Sequence, residues 1–119
     1  MRTIDEILRS TAASLFPDDF GQRRIEIDSR DCDGDTPLHV LLWRRDFSGA
    51  KVLIQAGADP NAVGDMGETP LHLAVRQDAS EIVGLLLTAG ADPEICSEFG
   101  YSPRALAVGK KGAIAKLLK

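Results

Sequence analysis

The feature that most constrains this chain is a repeat with a step of 33 residues. Asp33-Gly34-Asp35-Thr36-Pro37-Leu38-His39 aligns with Met66-Gly67-Glu68-Thr69-Pro70-Leu71-His72, and the same step leads to Phe99-Gly100-Tyr101-Ser102-Pro103-Arg104-Ala105. A second block keeps that offset, Gln55-Ala56-Gly57-Ala58-Asp59-Pro60 against Thr88-Ala89-Gly90-Ala91-Asp92-Pro93. Between the blocks, Val52-Leu53-Ile54 stands over Leu85-Leu86-Leu87. Two separate blocks with one offset define a period. Units of this size cannot bury an apolar face alone and must stack on one another.

Each unit has a physical reading. Gly34 and Gly67 supply a turn, where a positive φ costs little without a Cβ. Thr36 and Thr69 are placed to cap a helix, with Pro37 and Pro70 at its first position. First helices are predicted over Pro37–Arg44 and Pro70–Arg76, second helices over Ser48–Gln55 and Ser80–Leu87. Gly57 and Gly90 follow the second helices, where a left-handed residue ends a helix. Pro60 and Pro93 are expected to hold the chain extended on its way to the next turn.

These residues resemble the ankyrin repeat. The resemblance rests on the Thr-Pro-Leu-His blocks Thr36–His39 and Thr69–His72 and the Gly-Ala-Asp blocks Gly57–Asp59 and Gly90–Asp92, and covers residues 28–119. It implies an all-α ankyrin-repeat solenoid of stacked helix-turn-helix units with short β-turn fingers. The expected organisation is one domain: a helical N-terminal cap over 1–27, repeats over 28–60 and 61–93, and a C-terminal capping repeat over 94–119. The third unit departs from the pattern, with Ser102-Pro103-Arg104-Ala105 in place of Thr-Pro-Leu-His and a loop, Gly109–Gly112, that reads one residue shorter. Ala105, Leu106, Ala113, Ile114, Leu117 and Leu118 are expected inward. At the other end Ile4, Ile7, Leu8, Ala12 and Leu15 have helical spacing, with Thr3 as cap and Glu6 completing a capping box. Thr3 precedes Thr36 by 33, so 3–16 reads as a remnant of a fourth repeat. Pro17-Asp18-Asp19 ends it and opens an irregular stretch to about Arg24. Ile25 and Ile27 either pair as a short strand or pack under the first repeat.

Charge narrows the functions. The net charge is −4, against a nucleic-acid partner, which needs a basic surface. Residues 31–102 hold 12 acids and 4 bases, while 103–119 hold five bases and no acid. No apolar run reaches the roughly 20 residues of a membrane span, and Asp5 and Glu6 interrupt any leader-like start. No membrane association and a cytoplasmic location are the expectations. Cys32 and Cys96, about two repeats apart, lie on the order of 20 Å from each other by helix stacking distance, too far for a disulfide. His39 and His72 occupy equivalent places, and the resemblance gives them a structural role toward their own Thr and the neighbouring turns. Asp28, Asp31, Asp33 and Asp35 surround Gly34, but Val40 stands where a calcium loop needs its bidentate Glu. No metal, cofactor or small-molecule substrate is expected, and no catalysis.

The resemblance implies a non-catalytic protein–protein interaction module. Its partner would dock on the concave side, made by turn tips and first helices. The tips are Arg30, Cys32, Asp33 and Asp35, then Val63, Asp65, Met66 and Glu68, then Cys96, Glu98, Phe99 and Tyr101. The helix ends add Trp43 and Arg44, Arg76 and Gln77, Gly109 and Lys110. Trp, Tyr and Arg are the residues most enriched at binding hot spots. The expected patch is Trp43, Arg44, Met66, Arg76, Phe99 and Tyr101, with Gln77, rimmed by Asp65, Glu68 and Glu98. Against it, Trp43 packs on the N-terminal helix and Phe99 and Tyr101 cover the third repeat. Two other functions fit the residues: a specific cytosolic inhibitor of immunity or antitoxin type, acting on a basic enzyme, and a self-associating scaffold. A free chain is expected to be a monomer.

Overall fold

The computed structural model describes residues 3–11, 25–31, 34–110 and 112–118. The helices are α1 (Ile4–Ser10), α2 (Pro37–Trp43), α3 (Phe47–Gln55), α4 (Pro70–Arg76), α5 (Ser80–Thr88), α6 (Pro103–Leu106) and α7 (Ala113–Leu117). Among the described residues there is no strand.

The caps fall where the residues place them. Thr36 and Thr69 take extended backbone and accept the backbone N–H of His39 and His72, and each histidine side chain returns to the N–H of its threonine. Ser102 keeps the cap in the third unit, accepting from the Ala105 N–H at 3.1 Å. Thr3 accepts from the Glu6 N–H at 3.2 Å. At the far ends of α3 and α5, Gly57 and Gly90 adopt φ of +102° and +103°. The Ala58 N–H donates to Leu53 O and the Gly57 N–H to Ile54 O, and Ala91 and Gly90 repeat the pair on Leu86 and Leu87. This is the Schellman arrangement, which satisfies the last carbonyls of a helix. The first helices end the same way, with Arg45 and Asp78 at φ of +59° and +56° in the glycine's place.

Two rows of helices result. α2, α4 and α6 pack side by side, as do α3, α5 and α7, and each first helix packs on the second helix of its unit in the two inner repeats. The core between the rows is aliphatic: Leu38, Leu41, Leu42, Leu53, Leu71, Val75, Ile82 and Leu86 are fully buried. α1 buries Ile7 and Leu8 and packs against α3. The Arg44 guanidinium donates to Ser10 O at 2.9 Å, as the Gln77 amide donates to Leu42 O at 2.8 Å one repeat later. The rest of the 3–16 segment, with Ala12 and Leu15, lies outside the described residues, as do the stretch from Pro17 to Arg24 and Cys32 and Asp33.

Two expectations need correction, and one open alternative is decided. Pro60 and Pro93 do not hold the chain extended: each occupies a turn opened by an aspartate, Asp59 Oδ1 accepting the Asn61 N–H and Asp92 Oδ1 the Glu94 N–H, both at 2.9 Å. A turn needs the φ that proline fixes, and aspartate closes it with its own carboxylate. Of the two readings of Ile25 and Ile27, packing holds and the strand does not: Glu26–Ser29 is the equivalent turn, closed by the Ser29 N–H on Glu26 O at 3.1 Å, with Ile25 in the core and Ile27 partly buried against it. In the third unit Ile114 and Leu118 are buried and Leu106 partly so, but Ala105, Ala113 and Leu117 are exposed. The shorter loop accounts for the register: Ile114 and Leu118 fill the places of Ile82 and Leu86 at an offset of 32 rather than 33.

Candidate functional site

Three fingers project ahead of the first helices, and their hydrogen bonds repeat in step. The Asp31 N–H donates to Asp35 O at 3.0 Å, Gly64 to Glu68 O at 2.9 Å and Ser97 to Tyr101 O at 2.9 Å. Inside each, Gly34, Gly67 and Gly100 donate to the carbonyl three residues back. The third finger therefore keeps its geometry although its Thr-Pro-Leu-His block has gone. Space demands two of these glycines: a Cβ on Gly34 would lie 2.9 Å from Val63 O, and one on Gly67 2.9 Å from the Glu98 nitrogen. Adjacent fingers touch at those points. The Glu98 N–H donates to Met66 O at 2.9 Å, and the Asp65 N–H to Asp35 Oδ1 at 2.9 Å.

The histidines tie each finger to the repeat before it. The Thr36 N–H donates to His39 Nδ1 at 3.2 Å, which places the ring proton on Nε2, donating to Glu68 O at 3.0 Å. His72 repeats this, accepting from the Thr69 N–H at 3.0 Å and donating to Tyr101 O at 2.8 Å. Burial pushes the His39 pKa below its ordinary value, opposed by the bond to the Glu68 carbonyl. A buried imidazole engaged at both nitrogens has neither a free lone pair nor a free proton. Ala105 stands where the third histidine would be, and no fourth finger waits for it among the described residues.

The positions expected to form a binding patch divide into two groups. Trp43 is 48% exposed, Met66 39%, Phe99 66% and Tyr101 56%. Glu98 is exposed as well, and Asp65 half-buried. Met66 takes a φ of +60°, a left-handed conformation unusual for a side-chain residue, and this turns the finger tip.

The second group is engaged internally. Glu68 is buried, not a rim residue: Arg76 Nη1 donates to its Oε1 at 2.7 Å and Nη2 to its Oε2 at 2.5 Å, a bidentate pair. That bond raises the Arg76 pKa, more than its partial burial lowers it. Gln77 is half-buried and spends its amide N–H on Leu42 O, with Oε1 enclosed. Arg44 is exposed but fastened to Ser10. Lys110 closes the row on Asp78 at 2.8 Å. Sequence spacing does not announce these links, because each joins a finger or helix end to a neighbour chosen by the fold.

Among the described residues no three His, Cys, Asp or Glu side chains gather as a metal set. Cys96 is a free, exposed thiol. No helix among those residues is long and apolar enough to cross a membrane.

A family model described as ankyrin repeats (3 copies) matches residues 13–97. The match begins ahead of the repeat boundary expected at 28 and stops within the third finger. Beyond it, α6 and α7 still pack on α4 and α5 in the places of a third unit. The curated proteins yielded no match. Ankyrin repeats generally serve as protein–protein interaction modules and are generally not catalytic. The stacked helix pairs, the fingers in step and a match over most of the length lead to one conclusion: this chain belongs to the ankyrin-repeat family.

Proposed function

We propose that this protein binds another protein through its finger face, with Met66, Phe99 and Tyr101 on the fingers and Trp43 at the end of α2 as the apolar anchors. The observation that carries the reading is their exposure. Trp43, Met66, Phe99 and Tyr101 are exposed in a chain that has few aromatics to spare. Asp65 and Glu98 lie beside the anchors, and the 31–102 segment has 12 acids against 4 bases, so the favoured partner presents a basic surface with apolar side chains within it. Fingers locked by histidines and by each other lose little freedom on docking, which favours affinity. Glu68, Arg76 and Gln77 serve by holding the face in shape rather than by touching the partner.

The test is the double variant Trp43→Ala, Tyr101→Ala. Both side chains are exposed, so the melting temperature should stay close to that of the parent. Capture from the native host, quantified against the parent, should lose the specific partner, and its measured affinity should fall by about a hundredfold or more. Undiminished affinity with the fold intact sinks the proposal.

A further inference from the structure

One side chain joins the loop after α3 to the loop after α5. Asn61 Nδ2 donates to Gly90 O at 3.1 Å, and Asn61 Oδ1 accepts the Asp92 N–H at 2.7 Å. The repeat sets the same parts one step earlier, with Asp28 in the place of Asn61, Gly57 in that of Gly90 and Asp59 in that of Asp92. Among the described residues this earlier bridge is not made, and Asp28, Gly57 and Asp59 instead line a cavity of about 410 Å³. The exchange of an amide for a carboxylate accounts for the gap. A carboxylate has no proton to give to Gly57 O, and it repels Asp59, whereas the Asn61 amide is neutral toward Asp92.

What the cavity lacks is a donor. Asp59 Oδ1 accepts the Asn61 N–H, but its second oxygen, the Asp28 carboxylate and Gly57 O receive no hydrogen from the described residues. Arg30, the one base of the described lining, donates from Nη1 to Val63 O at 3.2 Å, and no ion pair joins it to either aspartate. The third member of the series shows what an acid at this position accepts: Glu94, equivalent to Asn61 and Asp28, pairs with Arg104. No described base does this for Asp28. We propose that the cavity is a binding site for a primary ammonium group on an alkyl chain, supplied by a lysine side chain of another protein or by a free diamine. The ammonium has three protons for three acceptors, the two carboxylates and Gly57 O. Ile27, half-buried in the lining, is an apolar wall for the methylenes behind it. A guanidinium is a planar fork, matched to one carboxylate rather than to three separate acceptors. A metal ion is poorly served, since no three acidic, Cys or His side chains gather among the described residues.

Amide NMR spectra of the whole chain, titrated with Nα-acetyl-lysine amide, with 1,4-diaminobutane and with the uncharged Nα-acetyl-norleucine amide, test this. The amines should shift the amides of Asp28, Gly57 and Asp59 to saturation, and the norleucine compound should leave them in place. The tighter of the two amines names the source, side chain or diamine. Asp28→Asn should weaken amine binding by about tenfold, the loss of one charge-assisted hydrogen bond. The same change should raise the melting temperature, because an asparagine at 28 can rebuild the bridge that Asn61 makes. Shifts that spread over the exposed acids without saturating, a response to the norleucine compound, or undiminished affinity in Asp28→Asn with no rise in its melting temperature would overturn the proposal. So would calcium ions that shift the same amides at lower concentration than the amines, since the site would then take a metal.

Discussion

Removing the Arg76 guanidinium should destabilise the fold by about 2 kcal/mol. The figure follows from what is left behind. The Glu68 side chain is only 4% exposed, so without Arg76 its carboxylate loses two charge-assisted hydrogen bonds and has little water to replace them. Breaking a fully buried pair costs roughly 3–5 kcal/mol. Arg76 is 48% exposed, however, so part of its charge is already met by solvent and the interaction is screened, which brings the expectation below that range. Arg76→Ala, measured by urea unfolding with an unchanged m-value, gives the number. Glu68→Gln, Arg76→Ala should recover about half of the loss, because the stranded charge has gone with its partner. A cost below about 0.5 kcal/mol for Arg76→Ala, or strict additivity in the cycle, would refute the view that the pair supports the second finger from beneath.

Two other perturbations follow from the geometry. His39 has a folded-state pKa below its ordinary 6.5, so between those values the unfolded chain binds more protons than the folded one. Its contribution is fully present above pH 6.5 and is lost as pH falls from there through the lowered pKa; the urea midpoint should decline over that window, and less steeply in His39→Gln. Arg45 and Gly57 occupy the same kind of helix end, at φ of +59° and +102°. Arg45→Gly should therefore raise stability and Gly57→Ala lower it, each by about 1 kcal/mol, with thermal melts as the readout. Gly57 has open space around it, so its cost would be backbone strain and not a clash.

Most of the architecture was legible because local chemistry and period agree. Thr36, Thr69 and Ser102 cap helices wherever they stand, and the apolar triplets around Leu53 and Leu86 have one face to bury. The internal links of the finger face were not legible. Glu68 and Tyr101 hold equivalent positions, yet one is buried beneath an arginine and the other stands in solvent, because Gly109 occupies the place of Arg76 in the third repeat. Likewise, spacing marked Gln77 as a surface residue, while its amide is taken by the preceding helix end. The turns at Pro60 and Pro93 were misread because proline fixes φ equally well for extended chain and for a turn, and the deciding group is the aspartate before it. Ala105, Ala113 and Leu117 are inward by type, yet in the structure they are exposed; the one-residue shift of the third unit's second helix gives its inward places to Ile114 and Leu118.

The central claim is that the fingers receive the partner. Amide hydrogen exchange of the free protein and of its complex tests it most directly. The account predicts added protection at Asp65–Gly67 and Ser97–Tyr101, with the second helices α3 and α5 unchanged. Protection confined to α3 and α5, with the fingers exchanging as in the free protein, would contradict it.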